Sequence, residues 1–167
     1  QNRNIRRNKN ISYAFISEFS KREFLKRFDK IPADKQYFLP NMVGFEKEDR
    51  ARVECENNEL YLFIGGVTEV KGIRIFCEAV NRANVPAVVI GDGILRKELE
   101  EKYPDIEFVG WKSKQEMTPY LLRARCMIFS SIWYETMGLT PLEVMLYGIP
   151  VICSELNAAS EYIFKEM

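Results

Sequence analysis

Two glutamates and one lysine carry most of the chemical interest of this chain. The stretch 134–150 reads Tyr-Glu-Thr-Met-Gly-Leu-Thr-Pro-Leu-Glu-Val-Met-Leu-Tyr-Gly-Ile-Pro, with Glu135 and Glu143 on either side of a Gly138-Leu139 turn. Thr140 is a good N-cap, Pro141 suits the first helical position, and Glu143 falls three residues after the cap. Leu142, Met145 and Leu146 supply an apolar stripe, and Gly148 and Pro150 stop the helix. One carboxylate is therefore expected in a loop and the other in the first helical turn. Unpaired N–H groups at such a helix start can hold phosphate, and a nearby carboxylate can accept hydrogen bonds from sugar hydroxyls. The same residues also read as a complete capping box, Thr140-x-x-Glu143, beside a merely solvated Glu135. Nothing local separates the two readings.

The lysine lies in Gly65-Gly66 followed by Lys71-Gly72, a strand-to-helix turn with a cation near the helix start. Glycine lets a phosphate approach the backbone, and an ammonium group offsets its charge. The spacing is neither that of a P-loop nor that of a dinucleotide fingerprint. Gly91-Asp92-Gly93 and Gly110-Trp111-Lys112 are further turns of this kind. The first is commonplace as a tight turn; in the second, Trp111 can pack on a base or cover the edge of a core.

These residues need a scaffold, and the pattern supplies one. Leu60–Ile64, Ala87–Ile90, Ile106–Val109, Cys126–Phe129 and Val151–Cys153 are short apolar runs of buried-strand type. Between them lie helical patterns: one from about Lys71 with Ile73, Phe76, Cys77 and Val80, and a short one through Leu95, Leu99 and Tyr103. A third carries Met117, Tyr120, Leu121 and Ala124. Ser113 and Glu116 form a possible capping box for the third, but Pro119 places its start nearer Thr118. A final helix holds Tyr162 and Ile163. Apolar strands alternating with amphipathic helices predict an α/β fold, a doubly wound parallel sheet covered on both faces. Ligands of such sheets bind at the carboxyl ends of the strands, where Gly65-Gly66 and Glu135 both fall. Upstream, Ile11–Ile16 reads as a strand and Ser17 caps a helix running to about Phe28. Tyr37-Phe38-Leu39 is another apolar run, broken by Pro40-Asn41.

Composition narrows the classes. The 167 residues are 47% hydrophobic, enough for a core and too many for a disordered chain. Lys+Arg and Asp+Glu both total 24, so no bulk charge points to nucleic acid, and the basic stretch 1–10 reads as a frayed end. Cys55, Cys77, Cys126 and Cys153 have no paired spacing, and the last three lie in apolar runs as free thiols of a reducing compartment. The absence of histidine removes His-based triads and His metal sites.

Taken in order, Ile16-Ser17-Glu18-Phe19-Ser20, Pro40-Asn41, Phe63-Ile64-Gly65, Lys71-Gly72, Ile90-Gly91-Asp92-Gly93, Phe108-Val109-Gly110, Phe129-Ser130-Ser131 and Glu135–Pro150 resemble the C-terminal domain of the family 4 glycosyltransferases. That is a large retaining group with the two-domain GT-B fold, and the likeness runs from about Ser17 to Glu161. Glu135 and Glu143, with seven residues between them, match its signature. The resemblance implies that Glu143 holds the nucleotide ribose, that Glu135 contacts the donor sugar, and that the backbone of Gly138, Leu139 and Thr140 meets sugar and phosphates. It implies that Lys71 neutralises the leaving diphosphate, that Gly65, Gly66 and Gly91 lie beside the donor, and that Trp111 and Lys112 sit at the base. The expected donor is a UDP- or GDP-sugar, with no divalent metal, and the acceptor a glycan or a lipid-linked glycan.

Four departures stand out. Gly66 holds the place of an arginine that in the family shares the diphosphate with the lysine, leaving Lys71 or Arg74 to carry that load. Asn157-Ala158 replaces a glycine pair, and Met137 an aromatic. The fourth is length. Residues 1–45 resemble only the end of a first, acceptor-binding domain and the crossover, 46–59 a loop, and 60–167 the nucleotide-sugar domain, cut before its returning helix. The expectation is a piece of a larger enzyme, inactive alone, working in the cytoplasm or at the inner membrane face through the missing half. The alternative is a catalytically inactive nucleotide-binding module of a two-subunit glycosyltransferase, and Gly66 is its support. A GT-B epimerase or phosphorylase fits less well, because those depend on histidine or a cofactor site.

Overall fold

A computed structural model of the chain describes residues 10–41 and 52–163. The basic stretch 1–9 and the part of the expected loop at 46–51 lie outside the described residues.

The strands of the main sheet are β3 (Leu60–Ile64), β4 (Ala87–Ile90), β5 (Ile106–Gly110), β6 (Ala124–Phe129) and β7 (Val151–Cys153). All neighbours are parallel, in the order β5-β4-β3-β6-β7. Every residue of β4 is buried, the expectation for a parallel strand covered on both faces. A separate parallel pair joins β1 (Tyr13–Phe15) to β2 (Gln36–Phe38).

The helices are α1 (Glu18–Arg27), α2 (Ile73–Ala83), α3 (Arg96–Lys102), α4 (Lys114–Leu122), α5 (Leu139–Met145) and α6 (Ser160–Ile163). On one face of the sheet, Ile73, Phe76, Cys77 and Val80 of α2 and Leu99 of α3 pack with Phe63, Val89 and Phe108. On the other face, Leu121 of α4 and Val144 of α5 pack with Leu62, Val88, Ile90 and Met127. Two apolar clusters on opposite faces are the signature of the doubly wound sheet. A fully buried side chain such as Phe76 contributes about 3–5 kcal/mol against truncation to alanine. Among the described residues, no helix is long and apolar enough to cross a membrane.

Three boundary expectations are corrected. The helix after β3 begins at Ile73, because a single 3-10 turn over Glu69–Lys71 and left-handed Gly72 (φ 68°) precede it. The helix before β6 starts at Lys114, with Ser113 and Glu116 closing the capping box and Pro119 inside. The bond that Pro119 cannot donate would have gone to the carbonyl of Gln115, an exposed residue, where water can accept the loss.

The third correction concerns Thr140. Gly138 enters the left-handed region (φ 69°) and turns the chain into α5 two residues early, so Leu139 is already helical and Thr140 caps nothing. Pro141 then sits third in the helix, where an N–H would have no intrahelical acceptor. Leu146 falls just past the helix end. The capping box that competed with a functional reading of Glu143 does not form.

Candidate functional site

The order of the sheet reverses at β3: the chain moves outward through β4 and β5, then returns to place β6 on the other side. The crevice beyond the carboxyl ends of β3 and β6 is where such a sheet binds ligands. An open cleft of about 300 Å³ lies there. Phe63, Ile64 and Gly65 at the end of β3, Lys71, and Phe129 at the end of β6 line it, with Glu135 to Thr140 leading into α5.

The turn after β3 and the loop after β6 are fastened together. Ile132 N donates to the Val70 carbonyl (3.1 Å), and Ser130 Oγ donates to the Gly72 carbonyl (2.8 Å). Gly72 is required here, since a Cβ would fall 1.9 Å from the Ser130 carbonyl oxygen. Across this seam Lys71 Nζ forms an ion pair with Glu135 Oε1. Ser131, fully buried, places its hydroxyl 3.1 Å from the same carboxylate oxygen and 3.2 Å from the Val70 carbonyl. Its oxygen accepts from Trp133 N (3.3 Å). The backbone of Glu135 is held as well, because its carbonyl accepts from Ala158 N (2.9 Å). Fully buried Asn157 shapes that neighbouring turn through bonds to Ser154 O and Ala159 N.

Glu143 faces a smaller cavity of about 50 Å³ that shares Ile64 and Thr140 with the cleft. Its carboxylate pairs with Lys114 Nζ at 3.2 Å, and Met117, Leu121, Val144 and Tyr147 complete an apolar wall. Together the two cavities offer two cations, Lys71 and Lys114, two carboxylates and a helix start beside an apolar slot. That set suits a ligand combining phosphate, hydroxyls and a flat ring.

Of the residues singled out from the sequence, Gly65, Lys71, Glu135, Gly138, Leu139 and Thr140 come together around the cleft, and Glu143 lies in the adjoining cavity. Gly66, Gly91, Trp111 and Lys112 line neither. Gly91 has a packing reason to be glycine: a Cβ there would fall 1.9 Å from the Gly65 carbonyl oxygen. At Gly66 a Cβ would meet only Thr68, at 3.9 Å, so a side chain has room. Trp111 is highly exposed and leads, through Lys112 and Ser113, into α4.

Arg74 does not supply a second phosphate cation. Its guanidinium is forked onto Glu98 (2.6 and 2.9 Å) and bonded to Glu69 (2.9 Å), bonds that hold it firmly protonated and hold Glu98 below the usual carboxylate range. Lys71 is the one cation among the described residues lining the cleft.

Sequence reasoning missed several contributors. Ile16 and Asn41 line the cleft from the β1–β2 segment, and Thr136 joins them. In the sequence Ile16, Asn41 and Ser131 stand out only as parts of family pieces, with no role attached to them. Lys114 carried no signal beyond following the cap Ser113.

Known proteins share both sequence and fold with this chain. A family model described as glycosyl transferases group 1 matches residues 58–166. The chain is 28% identical over 130 residues to D-rhamnosyltransferase WbpZ of Pseudomonas aeruginosa, covering 72% of this chain and 34% of that protein. It is 26% identical over 147 residues to O-antigen chain mannosyltransferase C of Escherichia coli, covering 80% and 39%. The fold is similar to that of Anabaena Alr3699/HepE in complex with UDP, with a TM-score of 0.72, 17% identity and coverage of 90% and 46%. The chain thus spans between a third and two fifths of the length of these curated relatives.

Proposed function

Because this chain belongs to the glycosyl transferases of group 1, we propose that it is the donor-binding part of a retaining glycosyltransferase using a UDP- or GDP-sugar. The observation that carries the proposal is the meeting of Lys71, Glu135 and the Gly138–Thr140 backbone in one cleft at the point where the sheet order reverses. Alr3699/HepE, a protein of similar fold, binds UDP, which supports a nucleotide as the ligand class.

In this reading Glu143 accepts hydrogen bonds from the ribose hydroxyls and Lys114 flanks it. The base lies toward Trp111 and Lys112, and the diphosphate reaches Lys71 with Gly65, Gly66 and Gly91 beside it. The sugar extends toward Glu135, whose carboxylate accepts from its hydroxyls. The bond between the anomeric carbon and the diphosphate breaks, and the acceptor oxygen bonds to the same face of that carbon. The acceptor proton passes to a phosphate oxygen of the departing diphosphate. Lys71 stabilises the charge that develops there, without a divalent metal. The acceptor is a glycan or a lipid-linked glycan.

A thermal-shift titration of the full-length enzyme with UDP, GDP and ADP tests the proposal. Ligand at about 100 times its Kd adds roughly 2.7 kcal/mol, and the shift should be selective for one base and lost in Glu143→Ala. Equal, absent or Glu143-independent shifts would overturn the donor site. The alternative of a non-catalytic nucleotide-binding module draws on Gly66 and the single lining cation. It predicts that nucleotide binding survives while Glu135→Ala leaves sugar transfer unchanged.

A further inference from the structure

The residues on both sides of Glu135 are gripped by the first turn of α1, more than a hundred residues away in sequence. Thr136 is held by Ser17: the Ser17 hydroxyl donates to the Thr136 carbonyl while its oxygen accepts from Ser20 N (3.0 Å). Tyr134 is held by Phe19, stacked on it with centroids 6.0 Å apart and planes 30° apart. Ser17 and Phe19 are both buried, at 0% and 3% exposure. Arg22, one turn on, lies over the Phe19 ring (5.3 Å to the centroid) and reaches Glu161 of α6 (3.6 Å). Ile16, next to Ser17, lines the cleft itself.

A helix cap needs only an acceptor oxygen, which Asp or Asn would supply equally well. Serine adds a proton, and here that proton is spent on the Glu135 loop.

We propose that Ser17 is a positioning residue, whose hydroxyl couples the start of α1 to the loop carrying Glu135 and so sets the sugar end of the donor cleft. This rests on the reading of the cleft as a nucleotide-sugar site. A shift of the 11–41 segment is then transmitted to Glu135 and leaves the nucleotide end around Glu143 unmoved. Ser17 and Phe19 have no bond to Lys114 or Glu143, whereas the neighbours of Glu135 bond or stack directly to α1.

The test uses Ser17→Gly, which keeps a serviceable N-cap but removes the hydroxyl, and Ser17→Thr, which retains it. The first readout needs no ligand. Amide exchange at Glu135 and at Ala158, whose N–H bonds the Glu135 carbonyl, should quicken about five- to tenfold in Ser17→Gly, with α2 and β4 unchanged. Ser17→Thr should restore most of the protection. Unchanged exchange would overturn the coupling.

The second readout is calorimetric affinity of the full-length enzyme for UDP and GDP against UDP-glucose and GDP-mannose. Ser17→Gly should raise the Kd of the sugar nucleotide that binds about five- to tenfold and that of the bare nucleotide less than twofold. Loss shared equally by both ligands would make Ser17 a fold element only and overturn the proposal. If the unaltered enzyme binds none of the four, the donor reading falls and the claim on the sugar end falls with it. The exchange result still decides separately whether Ser17 holds the loop.

Discussion

Glu135→Gln should improve binding of a bare nucleoside diphosphate while weakening binding of the matching nucleotide sugar. Lys71 is not waiting with a free charge: its ammonium is engaged by the Glu135 carboxylate, with Ser131 against the same oxygen. An incoming diphosphate must share or displace that partner. The pair is partly exposed, at 35% for the lysine side chain and 17% for the glutamate, so releasing it returns about 0.5–1 kcal/mol, a two- to fivefold gain for UDP or GDP. With the sugar attached the sign reverses. An amide in place of the carboxylate weakens hydrogen bonds to sugar hydroxyls by about 1–2 kcal/mol, outweighing the gain. Lys71→Met should weaken both ligands by about 1.5–3 kcal/mol, some ten- to a hundredfold, since no other described lining residue is cationic. Isothermal titration at low and physiological salt reads all of these, with the Glu135→Gln gain shrinking as salt rises. If Glu135→Gln cut affinity for the bare nucleotide tenfold, or Lys71→Met left it unchanged, the account of the cleft would be wrong.

Other expectations follow from the same contacts. Gly72→Ala combines left-handed backbone with a Cβ 1.9 Å from the Ser130 carbonyl oxygen, and should cost at least about 3 kcal/mol, lowering Tm by roughly 6–12 °C in a melt followed by circular dichroism. Gly66→Arg has open space and no positive φ, so Tm should stay within about 2 °C while diphosphate affinity rises roughly tenfold by calorimetry. Burial raises the Cys77 thiol to about 11 and leaves it fully covered, so under iodoacetamide at pH 8 half-buried Cys153 should label well before Cys77 in a peptide mass map.

The sheet was legible because its signals are local. Leu60–Ile64, Ala87–Ile90 and Val151–Cys153 are short apolar runs bounded by turn residues, and the strands occupy those residues. The possible capping box at Ser113 and Glu116 did form, and the start near Thr118 that Pro119 suggested did not. The box at Thr140 did not form, since Gly138 in a left-handed conformation had already started the helix, and no residue-type pattern reports which glycine turns that way. Glu135 and Lys71 could be singled out individually, but their ion pair could not, because strand order decides which loops are neighbours. Ser17 shows the same limit. Its cap to Ser20 is a three-residue spacing, whereas its bond to Thr136 depends on how the 10–41 segment folds back onto the sheet.

The seam between the turn at 66–72 and the loop at 130–135 restricts how this architecture can diversify. With Val70 and Gly72 bonded across to Ile132, Ser130 and Ser131, neither segment can gain or lose a residue alone without pulling the other out of step. Length variation, the cheapest way for loops to acquire new preferences, is therefore closed off at the floor of the cleft. What remains adjustable is side-chain identity, at the open position of Gly66 and in the segment that brings Ile16 and Asn41 to the cleft. Selection or engineering for a different sugar should find its productive substitutions there, as exchanges of side chain at constant length.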